Sequence, residues 1–278
     1  MKDTRTPLRS NAGEAGVEFW RDSDLVGAYD RSDLRPVEAF LLERYRDALS
    51  GRVLEIGVGA GRVTRYLCPI ASELHGIDIS PAMVRRASKA CPDATIVVRD
   101  LREIGVYGHE VFDAVVASFN VIDVLDHADR EHLFDALARI MAPKGVLLFS
   151  SHNRAAIGTV HGPLAQLLDD LEHLRLKRTV AGVVRLPRRV SNRARMRSLE
   201  HEGPTYSIVN DNAHDYALAQ YYIDRDEQAR QLERHGLRLE ACYDLSGSPV
   251  PEGTFAERAT ELSYVATRVV ADRGARPS

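Results

Sequence analysis

The sequence predicts an α/β fold built on a mostly parallel sheet with helices on both faces. Three observations lead there. Between residues 52 and 150, short apolar runs alternate with stretches of helical periodicity. The runs are continuous and lack the in–out alternation of a half-wet sheet, so each should be buried on both sides. A glycine-rich turn, with Gly57, Gly59 and Gly61, joins the first run to the helical stretch after it. Parallel strands need crossover connections, and right-handed crossovers cover the sheet. The ligand crevice of such a sheet lies beyond the carboxyl ends of its strands, beside the first one.

The elements follow in order. Arg52–Ile56 reads as the first strand, and Val63, Tyr66, Leu67 and Ile70 then mark one helix face. Leu74–Asp78 is the second strand, and Ser80-Pro81 opens a helix with a hydroxyl cap and a proline whose missing N–H costs nothing there. Ala94–Arg99 and Phe112–Ala117 are strands three and four. Leu133, Phe134, Leu137, Ile140 and Met141 form a helical stripe that Ala142-Pro143-Lys144-Gly145 stops, and Val146–Phe149 is the fifth strand. Residues 151–215 show no clean period, and order returns near Ala217–Ile223. Asp224 and Glu227 have the spacing of a helix-opening capping box. Leu237, Leu239, Ala241, Tyr243 and Leu245 alternate as a strand with one buried face, and Leu262–Val269 is the last strand. The expected organisation is an N-terminal tail and cap helices over 1–50, a binding core over 51–150, an acceptor lid or insert over 151–223, and completion of the sheet over 224–278.

Composition sets bounds. The chain has 278 residues, 44% of them hydrophobic, enough for a sizeable core. Its net charge of −3 excludes a globally basic nucleic-acid binder. Cys68, Cys91 and Cys242 are too few and too scattered for a disulfide framework or a zinc cluster, so they read as core residues and no metal is expected. No run approaches a membrane span, and the opening residues lack the apolar core of a secretory signal and read as a solvated tail. A reducing cytoplasm is the default compartment, and a homo-oligomer is compatible with the sequence.

The sharpest signal is Val53-Leu54-Glu55-Ile56-Gly57-Val58-Gly59-Ala60-Gly61-Arg62. Alternate glycines let the chain turn tightly and let a ligand lie against bare main chain. A dinucleotide fingerprint needs its third glycine where Arg62 stands, and no Gly-Lys-Ser/Thr triplet of a phosphate loop is present. Glu55 would repel a pyrophosphate but could help hold a cation. Asp78 ends strand two, placed for two ribose hydroxyls. Asp100-Leu101 follows strand three, placed for an adenine amino group and ring. Three acids at or near successive strand ends describe a pocket for an unphosphorylated, positively charged adenosine.

On these motifs the chain resembles class I S-adenosylmethionine-dependent methyltransferases. The likeness covers about residues 20–150 specifically and 217–270 loosely. It implies a seven-stranded, doubly wound, mostly parallel sheet of the Rossmann-like methyltransferase kind, with an inserted lid. It implies S-adenosyl-L-methionine as cofactor, over Gly57, Gly59 and Gly61, with ribose on Asp78 and adenine near Asp100, Ile79 and Met83. Ser118-Phe119-Asn120, after strand four, would lie near the sulfonium. Trp20 and Tyr29 resemble an N-terminal cover over the cofactor.

Methyl transfer from a sulfonium chiefly needs alignment and dry surroundings, with a base only where the acceptor must lose a proton early. His152, just past strand five, is the first candidate base or acceptor-orienting group; Asn120, Asp123, His127 and His214 are nearby candidates. The sequence after strand four is Ser-Phe-Asn-Val, which argues against amide or adenine N-methylation of the Asn/Asp-Pro-Pro-Tyr kind. Arg175–Arg197 holds nine Lys/Arg and no acid, leaving 28 basic against 40 acidic residues elsewhere, or −12. This segment reads as a solvated insert or one paired with acids on a neighbouring subunit, as an anion-recognising part of the lid, or as a contact for nucleic acid or an anionic membrane. The expected activity is methyl transfer to O, N or C of a small-molecule acceptor of secondary metabolism, anionic if the basic segment binds it, with no nucleic acid involved. An RNA or protein methyltransferase docking through 175–197, and a non-catalytic binding or assembly module, are the alternatives.

Overall fold

A computed structural model of the chain describes residues 12–22, 33–159, 162–172 and 176–269. Its strands are β1 (Arg52–Ile56), β2 (Glu73–Asp78), β3 (Thr95–Val98), β4 (Phe112–Ala117), β5 (Met141–Asn153), β6 (His201–Glu202), β7 (Tyr206–Val209), β8 (Gln220–Ile223), β9 (Leu237–Tyr243) and β10 (Glu261–Arg268). Its α-helices are α1 (Ala12–Asp22), α2 (Pro36–Arg44), α3 (Arg46–Leu49), α4 (Thr64–Leu67), α5 (Pro81–Ala90), α6 (His127–Ile140), α7 (Pro163–Glu172), α8 (Leu176–Met196) and α9 (Arg225–Arg234).

One sheet carries all ten strands. β3, β2, β1, β4 and β5 are parallel neighbours in that order, and β10 runs antiparallel beside β5 with β9 outside it. This is the seven-stranded sheet the sequence implies. Three further strands extend it: β8 pairs with the far end of β5 at His152 and Asn153, and β7 and β6 follow antiparallel. β6 and β7 come from the region without a clean period, being too short to show one, and β8 falls at 217–223, where order was expected to return. β5 is also longer than expected. Met141, expected in the helix, and residues 142–145, expected to stop it, begin the strand irregularly, with Lys144 left-handed and a register shift opposite Phe112–Ala114.

Two apolar layers hold the sheet. Leu54, Ile56, Val115 and Ala117 face one core with Phe134 and Leu137 of α6; Val53, Ala114 and Val116 face the other with Leu41, Leu49 and Leu67. Successive residues of β1 thus feed opposite cores, which is why the run reads as continuously apolar. The expected cap at Asp224 forms, its carboxylate accepting from the Glu227 N–H at 3.0 Å.

Two expectations need correction. Residues 12–16, read as part of a solvated tail, belong to α1, where Gly16 sits against Val124: a Cβ there would come within 2.9 Å of the Val124 carbonyl oxygen. Cys68 and Cys91 are joined in a disulfide with Cα atoms 6.0 Å apart, tying the end of α4 to the end of α5, while Cys242 is free and buried. Two cysteines 23 residues apart meet because the crossover returns α5 beside α4, which spacing alone does not reveal. A disulfide is rare in the reducing cytoplasm taken as the default compartment. No described helix is long and apolar enough to cross a membrane.

Candidate active site

A cavity of about 310 Å³ opens at the carboxyl ends of β1, β2, β4 and β5. That falls within the roughly 300–1,000 Å³ of small-ligand pockets. One end is built by the glycine turn. The N–H groups of Gly57 and Val58 donate to the Ile77 carbonyl at 2.8 and 3.1 Å, and the Gly59 N–H donates to Asp78 Oδ2 at 2.9 Å. All three glycines are left-handed, at φ of +72°, +53° and +87°. A Cβ on Gly61 would strike the α5 backbone at Ala87, 3.0 Å away, whereas a Cβ on Gly59 would meet nothing within 4 Å. Gly61 therefore serves helix packing, and Gly59 leaves open space at the cavity wall. Arg62, where a dinucleotide site needs glycine, forms a two-pronged ion pair with Glu38 of α2.

Asp78 takes one backbone N–H on each oxygen, from Gly59 and from Ser80, both at 2.9 Å. Each oxygen keeps a lone pair for a ligand hydroxyl. Burial raises its pKa against these hydrogen bonds. Glu55 is fully buried at the same end. Burial pushes its carboxyl up to about 8, against the pull of Thr64 and Arg62, and its Oε2 has no hydrogen-bond partner among the described residues. An orphaned buried carboxyl oxygen beside a bare glycine wall fits a ligand carrying a cationic group. Ile79, Met83, Leu101 and Ser118 line the same cavity, as the sequence expects, and Trp20 of α1 lines it too.

Asp100 is different. It lies outside the cavity lining, and its carboxylate accepts from the backbone and guanidinium of Arg102, at 2.7 Å in the shortest contact. Burial opposes ionisation there, but the Arg102 hydrogen bonds prevail and hold the pKa low. Leu101 and Arg99 supply the wall in its place. Tyr29 lies outside the described residues.

The other end of the cavity is polar. His152 Nδ1 is 2.7 Å from Asp123 Oδ2, which also accepts the His152 backbone N–H. Asp123 is completely buried; its Oδ1 accepts from Arg130 and from the Ser151 hydroxyl, each at 2.7 Å. Arg130, itself fully buried, is further held by Gln228 and Gln231 of α9. A carboxylate on Nδ1 selects the tautomer with a lone pair on Nε2. The ring stacks on Tyr222 at 4.8 Å.

His152 Nε2 lies 3.3 Å from Asn120 Nδ2, which donates to Glu261 Oε2 at 2.7 Å. Glu261 faces His152 across the β5–β10 ladder and pairs with Arg35. Phe119 and Asn120 are both left-handed, a conformation that costs energy and recurs at functional turns. His214 also lines the cavity; it begins a run of three left-handed residues, and burial lowers its pKa. His127 is elsewhere, stacked on Tyr206 and bonded to the Tyr221 hydroxyl at 2.9 Å.

Sequence reasoning missed Glu261, Arg35 and Gln220 as lining residues. Glu261 carries a weak signal as a lone acid at the mouth of the last strand; Arg35 and Gln220 carry none. From the region read as a lid, His152, Ala213, His214 and Gln220 reach the cavity, and none of the described residues of 175–197 does. Within that basic segment, Arg185 and Arg189 pair with Asp215, and Arg193 with Glu200. No described His, Cys, Asp and Glu cluster has the makings of a metal site.

Comparison with known proteins agrees with this arrangement. Residues 53–145 match the family described as a methyltransferase domain. A Bacillus subtilis (strain 168) relative named "Putative methyltransferase YqeM" is 30% identical over 128 residues, covering 45% of this chain and 49% of its own. The chain thus spans about half the length of the curated relatives it matches first. Among solved structures, the CcbJ methyltransferase of Streptomyces caelestis superposes with a TM-score of 0.57 at 15% identity, over 92% of this chain and 99% of that one. The N-methyltransferase NodS of Bradyrhizobium japonicum WM9, solved with S-adenosyl-L-homocysteine, gives 0.51 at 17% identity, over 93% and 99%. Residues 53–145 thus carry a methyltransferase domain, within the fold of these S-adenosylmethionine-dependent methyltransferases. S-adenosyl-L-methionine is the cofactor of such a domain, and Glu55, Asp78 and the glycine wall are the groups suited to it.

Proposed function

We propose that this protein transfers the methyl group of S-adenosylmethionine to a protic oxygen or nitrogen of a small molecule, with His152 as general base. One observation carries the reading: His152, held from behind by buried Asp123, and the glycine turn line a single cavity. When bound, the sulfonium supplies an already activated methyl group. The protein's tasks are to hold it, align the acceptor and take up a proton. Gly57, Gly59 and Asp78 would hold the nucleoside end, and buried Glu55 would meet the amino group. Asp123 fixes the His152 tautomer and stabilises the imidazolium that forms on proton uptake. Asn120, tied between His152 and Glu261, orients the acceptor.

The charge balance at this end favours a neutral acceptor. Of the arginines lining the cavity, Arg35 pairs with Glu261 and Arg62 with Glu38, while Arg99 follows β3 beside Leu101. Among the described residues the basic insert contributes none to the lining, so an anionic acceptor gains no support from them.

His152→Ala should lower kcat by roughly 10²–10⁴-fold, the usual worth of a positioned base. S-adenosylhomocysteine affinity should stay near wild type. Asp123→Asn should show a similar loss and shift the pH profile. Unchanged turnover of His152→Ala on a methylated acceptor, found by screening with labelled methyl donor, would remove the base from the mechanism.

A further inference from the structure

The α7–α8 hairpin lies outside the cavity lining and presents an apolar face that nothing described covers. Leu164, Leu168 and Leu171 of α7, and Val183, Val184 and Val190 of α8, are all at least half exposed. They are six of the thirteen large exposed hydrophobics among the described residues, gathered within 27 positions. On α8 the exposed residues Val183, Pro187, Val190 and Ala194 recur at i, i+4, i+7 and i+11, a single helical stripe. Exposed Arg188 and Arg195 lie along one side of it, while Arg189 and Arg193 turn inward to Asp215 and Glu200. Residues 163–197 hold nine Lys/Arg against three acids, in a chain whose net charge is −3.

We propose that this hairpin docks on an anionic lipid bilayer. An apolar stripe edged by arginines matches an interfacial helix: the stripe enters the acyl boundary, and the long side chains reach back to the headgroups. Charge chooses this occupant over a second copy, because two hairpins each holding nine Lys/Arg against three acids would repel one another. Charge also chooses it over a neutral apolar partner, which would leave the arginine edges without counterparts. Docking bears on the site directly. α8 is joined to Asp215 and Asn210, and the adjacent Ala213 and His214 line the cavity. A bilayer under the hairpin would thus sit beside the supply of a lipid-soluble acceptor.

The test is co-sedimentation of the full chain with vesicles of phosphatidylcholine alone, or with phosphatidylglycerol added. Binding is expected only with the anionic lipid, and should be released at 1 M salt, where the screening length is about 3 Å. Val183→Asp/Val190→Asp and Arg188→Glu/Arg195→Glu should each weaken it by roughly tenfold or more. Both variants should keep the wild-type circular dichroism and S-adenosylhomocysteine affinity. Equal binding to both vesicle types, no binding at all, or variants that sediment like wild type would overturn the proposal. So would light scattering showing a dimer that the valine variant dissolves, or vesicle binding outcompeted by RNA. Failure here leaves the methyltransferase reading intact, because S-adenosylhomocysteine affinity is read separately.

Discussion

Glu55 concentrates the electrostatics of the site in one side chain. Its carboxyl titrates at about 8 rather than the ordinary 4.5 because it is fully buried, with one oxygen unpartnered. Between those two values the folded state holds a proton that the unfolded chain has released. Glu55 therefore makes stability fall as pH rises from 4.5 to about 8, the reverse of an ion-paired carboxylate. A cationic ligand favours the ionised form, so binding at pH 7 should release about one proton. Calorimetry of S-adenosylmethionine binding in buffers of different ionisation enthalpy measures this directly. The heat should vary with the buffer for wild type and not for Glu55→Gln; buffer-independent heat for wild type would contradict the role. Asp78 and Glu55 were legible in the sequence because each ends or adjoins an apolar strand. Asp100 drew attention for the same reason. Its position after β3 suggested adenine, but Arg102, two residues on, takes the carboxylate, a side-chain pairing that strand-end position does not encode.

At the scale of elements, the glycine turn divides its labour between ligand and packing. Gly61→Ala should lower Tm, since the residue is left-handed and its Cβ would press into the α5 backbone. A loss of about 1–3 kcal/mol is expected. Gly59→Ala carries the conformational penalty alone, about 1–2 kcal/mol, because its Cβ meets only open space. Its larger effect should be on S-adenosylhomocysteine affinity, through the methyl group added at the cavity wall. Thermal melts with and without the ligand separate the two; equal ligand-induced shifts in both variants would refute the division. β1, β2 and β4 were readable to within a residue because runs buried on both faces leave an unbroken apolar signature. β6 and β7 were not, being short and stabilised by pairing onto β8 and each other rather than by pattern, whereas β8 falls at 217–223, where order was expected to return. α8 hid for another reason: Pro187 lies inside it, where sequence alone argues for a break.

The whole molecule combines a legible core with a constellation assembled across the chain. Asp123, Arg130, His152, Gln228 and Glu261 come from four separate stretches, and only the sheet's topology brings them together. Even so, the reading that placed His152 past strand five reached the right wall of the cavity, because strand ends define the crevice in this architecture. The same topology joins Cys68 to Cys91 and buries Cys242, whose thiol burial pushes up to about 12. The native protein should therefore take up no alkylating reagent at neutral pH, and one equivalent after denaturation without reductant. Three equivalents under those conditions would show the disulfide is absent.

The most direct test of the account is a crystal structure with S-adenosylhomocysteine. The nucleoside should lie against Gly57 and Gly59 with its ribose hydroxyls on Asp78, its amino group toward Glu55 and its sulfur on the side of His152. Binding anywhere else, or a molecule that takes up no nucleoside at saturating concentration, would contradict it.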